Sequence, residues 1–282
     1  MRLLVKIGGA PLEERAAREH FAAAVRSALA QGHELVLVHG GGNQVRRLCR
    51  GLGIEDRYEG GLRVTDEPTA EVVVAVLGGQ VNRVLVAELV AGGTPAVGLT
   101  GADGGLFSAS KLVLEGRDLG YVGEVDTVDP RPVEHLLAGG FVPVVATVAP
   151  LAPGRAGARA HLYNINADQA AAALAWRLGA DALLFLSDVP GVLDAEGQLL
   201  AEIDPERLAR LESTGAVRAG MLPKLDAAFR AARAKPDALV KIAAAARADP
   251  IVAALDGGPG TRIRAARRAN PPAPAGPAPR KT

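Results

Sequence analysis

In the segment Arg2–Ile7, Lys6 interrupts the apolar residues that follow Arg2 and lead to Gly8-Gly9. An ammonium group in a buried strand needs a compensating anion, and a phosphate would serve. A second apolar run, Leu35–Val38, leads into His39-Gly40-Gly41-Gly42 and then a helix near Gln44–Leu52. Consecutive glycines let backbone N–H groups approach an anion closely, and the positive end of the following helix adds to the field. Each loop alone is also compatible with a plain strand-to-helix turn. Two of them after the first two strands, with a lysine in the first, favour an anion cradle.

The second half of the chain holds a matching set of polar residues. In the extended segment His161–Gln169, Asn164 and Asn166 fall on one side, and Asp168 opens a helix. A carboxylate there is favoured by the helix dipole, so a capping role competes with a binding one. Leu186-Ser187-Asp188-Val189-Pro190-Gly191 is another strand end with polar groups. In Gly220-Met221-Leu222-Pro223-Lys224, a lysine sits at a helix start, which the dipole disfavours. A ligand phosphate would supply a reason; plain solvent exposure is the alternative. Two familiar nucleotide signatures are missing. No lysine directly follows a glycine, so there is no Walker A loop, and no Gly-x-Gly-x-x-Gly opens the first helix.

Lysine is scarce: six residues among 32 that are basic, the rest being arginine. The two cations differ in size and hydrogen-bonding geometry, which marks the few lysines as candidates. Charge is unevenly spread. Residues 265–282 hold Arg267, Arg268, Arg280 and Lys281 with no acid, so residues 1–264 carry 28 basic against 31 acidic residues, a net −3. That body does not fit nucleic-acid binding by phosphate neutralisation. Cys49 is the single cysteine, which excludes an internal disulfide and a cysteine-based zinc site and suits a reducing compartment. No signal-peptide region and no run of about 18 uninterrupted apolar residues is apparent, so a cytoplasmic protein without a membrane span is expected.

The elements that would position these residues alternate. After the first strand comes a helix over Glu13–Gln31, with Phe21, Val25 and Leu29 at helical spacing. A hairpin over Gly60-Gly61 is expected in 57–66, and a long helix over Pro68–Ala91 interrupted at Gly78-Gly79. Strands are expected at Ala96–Leu99, Lys111–Leu114, Tyr121–Val128, Val142–Ala146, Ala182–Leu186, Ala238–Ile242 and Thr261–Ile263. Helices are expected at Pro132–Ala138, Asp168–Leu178, Asp204–Leu211, Lys224–Ala234 and Pro250–Leu255. Strands alternating with helices imply an α/β fold, a three-layer αβα sandwich on a mostly parallel sheet, with ligands at the carboxyl ends of its strands. A divide near 150–160 separates two lobes, and the Pro/Ala-rich stretch 265–282 is expected to be a disordered tail.

Six segments stand in this order: Lys6-Ile7-Gly8-Gly9, His39-Gly40-Gly41-Gly42, Gly61-Leu62-Arg63-Val64-Thr65, Asn164-Ile165-Asn166-Ala167-Asp168-Gln169, Leu186-Ser187-Asp188-Val189-Pro190-Gly191 and Gly220-Met221-Leu222-Pro223-Lys224. Together they resemble the amino-acid kinase family, in the branch that phosphorylates N-acetyl-L-glutamate. The likeness runs from about residue 2 to 264. It implies transfer of the ATP γ-phosphoryl group to the γ-carboxylate of that substrate, in arginine biosynthesis. By the same resemblance, Lys6 and Lys224 neutralise the transferring phosphoryl group, and Asp168 holds both ammonium groups. Gly9, Gly41 and Gly42 cradle the acceptor and phosphoryl oxygens. Arg63 forks onto the α-carboxylate, with Asn164 and Asn166 beside the substrate, while Gly8, Ser187 and Asp188 face the nucleotide. Mg²⁺ rides on the ATP phosphates and no protein metal site is implied. Residues 1–160 would form the lobe for acetylglutamate and dimerisation, 161–264 the ATP lobe, and the enzyme a homodimer.

The chain departs from the arginine-inhibited members. Its first strand starts at Arg2 without their extra N-terminal helix, and Lys241–Arg247 replaces their Gly-Arg, His and Glu near the carboxyl end. Insensitivity to arginine is the expectation. Two rival readings keep the scaffold: a kinase for 2-aminoadipate borne on an acidic carrier protein, and a non-catalytic nucleotide or amino-acid sensor.

Overall fold

A computed structural model describes residues 1–154, 161–215 and 219–265. The chain runs β1 (Arg2–Ile7), α1 (Arg15–Ala30), β2 (Glu34–His39), α2 (Gly42–Gly51), β3 (Tyr58–Glu59), β4 (Leu62–Arg63) and α3 (Glu67–Val74). A π-helical turn, Ala75–Val81, joins α3 to α4 (Asn82–Ala91). Then come β5 (Ala96–Leu99), β6 (Phe107–Leu114), β7 (Arg117–Val128), α5 (Arg131–Ala138), β8 (Val142–Ala146), β9 (Val148–Pro150) and β10 (Leu162–Ile165). The remainder is α6 (Ala167–Arg177), β11 (Ala182–Ser187), β12 (Glu202–Ile203), α7 (Pro205–Ser213), α8 (Leu222–Ala234), β13 (Leu239–Ala244), α9 (Pro250–Leu255) and β14 (Thr261–Ile263).

The main sheet has the order β12-β14-β13-β11-β1-β2-β8-β5, parallel throughout except for the β13/β14 pair. Its central strands are apolar on both faces because helices cover both. Alternation then sorts the side chains of β1. Leu3, Val5 and Ile7 enter the core built with Phe21, Val25 and Ala28 of α1. Leu4 enters the opposite core, with Ala170 and Leu174 of α6 and Ala227 and Phe229 of α8. Lys6 shares the parity of Leu4, so its side chain belongs to the α6/α8 face. Strands from both halves of the chain pair in this one sheet. A smaller sheet, β6-β7-β10-β9, and the β3/β4 hairpin stand beside it.

The mostly parallel αβα arrangement matches the expectation from periodicity. Several details differ. The expected interruption at Gly78-Gly79 takes the form of a widening into the π-helical turn, through which the chain continues as a helix to Ala91. Close packing accounts for one glycine, since a Cβ on Gly78 would lie 3.3 Å from Cγ2 of Thr100. The run Glu67–Ala91 is by length and composition able to cross a membrane. Here Val72, Val73, Leu77, Leu85 and Leu89 are buried in the α1-side core, as in the core helix of a folded domain. Strands β6 and β7 are longer than their apolar centres suggest and turn over Glu115-Gly116, both at positive φ. Strands β9 (three residues) and β12 (two residues) are additional to those expected. The expected divide falls partly on 155–160, and the expected tail, 265–282, falls on 266–282 in all but its first residue; both stretches lie outside the described residues.

Candidate active site

Three charged side chains meet in the interior. Lys6 on β1 lies 2.8 Å from Oδ1 of Asp168, and Nζ of Lys224 donates to both Asp168 oxygens at 3.0 Å. Each residue is less than a tenth exposed. Asp168 is on the first turn of α6, yet it does not cap it. The cap is Asn166, whose side-chain oxygen accepts from the backbone N–H groups of Asp168 and Gln169. That frees the Asp168 carboxylate to face the lysines. It also gives Lys224, near the start of α8, the counter-charge that the helix dipole denies it.

Two buried cations share one buried anion, which leaves one positive charge uncompensated. Burial raises the pKa of the Asp168 carboxyl, but the fields and hydrogen bonds of Lys6 and Lys224 reverse this and hold it below the ordinary carboxylate range. Burial, and then the adjacent Lys6 ammonium, pulls Lys224 down to about 8 against the attraction of Asp168.

Lys6 and Asp168 open onto a cavity of about 210 Å³ whose wall includes Gly40, Gly41, Gly42, Tyr58, Arg63, Thr147, Asn164 and Asn166. The two glycine loops touch there. A Cβ on Gly9 would lie 2.8 Å from Cα of Gly41, and one on Gly41 would lie 2.6 Å from Cδ2 of Leu77 in the π-helical turn. Neither position has room for a methyl group. Helix α2 starts at Gly42, so its first N–H groups, beyond reach of any intrahelical carbonyl, stand at the cavity. At the far wall Arg63 is buried on the β3/β4 hairpin. It donates to the Gly42 carbonyl at 2.9 Å and to Asp56, and lies over the Tyr58 ring at 4.8 Å. Asn164 donates to Thr65 at 3.3 Å.

Of the residues expected from sequence, Lys6, Gly41, Gly42, Arg63, Asn164, Asn166 and Asp168 line this cavity, Lys224 joins through Asp168, and Gly9 abuts Gly41. Ser187 and Asp188 do not line it. They stand at the end of β11 on a neighbouring cavity of about 410 Å³, with Ile7, Pro11, Phe21 and Ala245. Gly8 lies at the turn after Ile7, its N–H donating to the Leu186 carbonyl. Asp56 and Tyr58 were missed. The hairpin reading pairs Tyr58 with Arg63 and so already contained the second of them. His39 is fully buried beside Asn82, and burial above all lowers its pKa to about 4, so it is neutral at pH 7. Lys241 is a third buried lysine, with a structural partner. Its ammonium donates to the carbonyls of Ala254 and Gly258, at the end of α9 where a cation is favoured.

Comparison with known proteins identifies the family. Residues 1–241 match the model of the amino acid kinase family. The chain is 45% identical over 234 residues to the acetylglutamate kinase of Koribacter versatilis, covering 83% of this chain and 87% of that one. It is 48% identical over 206 residues to the acetylglutamate kinase of Methanopyrus kandleri, covering 71% and 81%. Among solved structures, smu.665 from Streptococcus mutans UA159 superposes with a TM-score of 0.79 at 28% identity, covering 94% of this chain and 98% of that one. Its ordered motifs, its sheet and its relatives place the chain in the amino acid kinase family.

Proposed function

We propose that this protein is the kinase that uses ATP to phosphorylate the γ-carboxylate of N-acetyl-L-glutamate, giving N-acetyl-L-glutamyl 5-phosphate in the second step of arginine biosynthesis. One observation carries the reading: the Lys6–Asp168–Lys224 cluster holds a fixed, buried, uncompensated positive charge at a glycine-lined cavity. Phosphoryl transfer between two anions needs positioning and such charge above all. A γ-carboxylate oxygen bonds to the γ-phosphorus while the bond to the β,γ-bridging oxygen breaks, and that electron pair leaves with ADP. The carboxylate is ionised near neutral pH, so no general base is required. His39, fully buried between the Gly40 carbonyl and Asn82, is held neutral and has no part in the transfer in this reading.

In this reading Lys6 and Lys224 neutralise the transferring group and Asp168 keeps them in place. Gly9 and the N–H groups of Gly41 and Gly42 cradle the acceptor and phosphoryl oxygens. Arg63 anchors the α-carboxylate, with Asn164 and Asn166 beside the substrate. Gly8, Ser187 and Asp188 face the nucleotide. Among the described residues no group of three or more His, Cys, Asp or Glu side chains converges to hold an ion. Asp168, the carboxylate in the cavity wall, is already engaged by two ammonium groups. In this reading Mg²⁺ would be carried mainly by the ATP phosphates, whose charge it would help to neutralise.

We assign acetylglutamate binding to residues 1–160 and ATP binding to 161–264, in a cytoplasmic homodimer. Strand β5, at the edge of the main sheet with all its residues partly exposed, and the exposed Val84 and Val90 of α4 support an interface on that side.

Incubating the protein with ATP and each acceptor, and trapping the acyl phosphate with hydroxylamine, tests the reaction. Hydroxamate should form with N-acetyl-L-glutamate. Its formation only with carrier-borne 2-aminoadipate, or with neither acceptor, would overturn the proposal. Arg63→Ala should raise the acetylglutamate KM by roughly tenfold or more, the loss of a charged hydrogen bond, with the ATP KM little changed. A loss confined to ATP would place Arg63 on the wrong substrate. Because the Lys224 pKa is about 8 in the free protein, its charge disappears as pH rises through that value, and kcat/KM should fall on the same limb. Lys224→Arg should move the limb upward, whatever its effect on rate. A profile that stays flat well above pH 8 would contradict the role.

A further inference from the structure

Arg63 sits on a hairpin whose strands are two residues each, a short support for a long side chain that must present its donors in one orientation. Its surroundings supply the missing constraint. The Tyr58 ring lies against the guanidinium, the Gly42 carbonyl takes one nitrogen, and the Asp56 carboxylate takes the other. Two of five N–H donors are used this way and the buried Cys49 side chain engages the guanidinium as well, which leaves donors over for a ligand. The second Asp56 oxygen accepts from Nε of Arg46 at 2.9 Å, and the Arg46 guanidinium also donates to the Tyr58 hydroxyl at 3.3 Å.

The geometry points to Asp56 as the positioning residue for Arg63, and to Arg46 as the charge that keeps this arrangement attractive to an anion. The inference rests on the reading of Arg63 as the anchor of the substrate α-carboxylate. Asp56 and Arg63 alone would form a neutral pair that offers an incoming carboxylate no net attraction. With Arg46 on the second oxygen the triad carries one net positive charge. The cavity thus has a two-to-one cluster at each end: Arg46–Asp56–Arg63 for the α-carboxylate, and Lys6–Asp168–Lys224 for the phosphoryl group. Arg46 does not line the cavity, so its contribution passes through Asp56 and the local field. Fixing the guanidinium before the substrate arrives also lowers the ordering cost of binding.

A double-mutant cycle on the full chain tests this, with kcat and both KM values read for each variant. Asp56→Ala should raise the acetylglutamate KM by about tenfold, the coupling expected within one ion-pair network, and leave kcat and the ATP KM within about twofold. In the Arg63→Ala background the same substitution should change nothing further. Arg46→Ala should raise the same KM by a smaller factor, and Arg46→Lys should recover most of it, because charge is what Arg46 supplies. Asp56→Asn, which keeps the shape and an acceptor oxygen, should fall between the parent and Asp56→Ala and serves if the alanine variant does not fold. Should Asp56→Ala lower the KM, Asp56 competes with the substrate and the inference is overturned. Losses that add in the double variant overturn it as well. If Arg63→Ala itself leaves the KM unchanged, the anchor reading fails, a separate and distinguishable outcome.

Discussion

Lys6→Ala is expected to lower kcat by about 10²–10³-fold, the loss that follows removal of one preorganised charge donor from a dry site, and to leave the protein folded. The second half of that expectation comes from the charge arithmetic. With Lys6 gone, Asp168 keeps Lys224 on both oxygens at 3.0 Å, and the buried cluster becomes neutral. Folding therefore no longer has to bury a net charge. One of the influences that lower the Lys224 pKa also disappears, so the alkaline limb of the residual activity should rise. Lys224→Ala should lose a similar factor, since Asp168 then pairs with Lys6 alone at 2.8 Å. Steady-state kinetics with thermal melting decides the matter. A kcat within tenfold of the parent, from protein of unchanged melting temperature, would remove Lys6 from the reaction.

Asp168→Asn should do the opposite to the fold. It leaves two ammonium groups side by side, each less than a tenth exposed, with no anion between them. Breaking a buried ion pair by removing one partner costs about 3–5 kcal/mol, which in a chain of this size lowers the melting temperature by on the order of ten degrees. The protein has one partial escape. Lys224, already at about 8, can give up its proton. In the variant its folded-state pKa falls further below the unfolded value of about 10.4, so the unfolded chain binds more protons and stability rises with pH. The deficit relative to the parent should shrink between neutral and alkaline pH. In the parent, the lowered Asp168 pKa contributes stability above the ordinary carboxyl range that is lost as pH falls through the folded-state value. Turnover should be absent at pH 7, where one of the two charges on the phosphoryl group is missing or misplaced. An Asp168→Asn variant that melts within two degrees or so of the parent and turns over normally would sink both parts.

Much of this site was legible in the chain before any coordinates, for identifiable reasons. A lysine in the run Arg2–Ile7 stands out because its neighbours are apolar, and period-two alternation assigns its face. The glycine loops announce themselves because only glycine permits the contact between Gly9 and Gly41. What stayed hidden depends on long-range pairing. Asp56 lies seven residues from Arg63 and becomes its partner only once the hairpin folds back. The parity of Asn164 and Asn166 was a sound reading of an extended segment. It could not show that the strand ends at Ile165, so that Asn166 becomes the helix cap and Asp168 is released. The nucleotide-facing role of Ser187 and Asp188 comes from the family resemblance, and the two residues line the cavity adjacent to the one that holds Asp168.

The contact between Gly9 and Gly41 also bears on how this scaffold could be retuned. Backbone touches backbone there, with Leu77 behind, so the floor of the cavity is set by main-chain thickness and cannot be raised or lowered one methylene at a time. The opposite wall is side chain on a short hairpin, where Tyr58 is partly exposed and Gly60 and Gly61 turn at positive φ. Acceptors of different chain length would have to be accommodated by remodelling that hairpin, because the glycine floor leaves selection or design almost no neutral substitutions to explore.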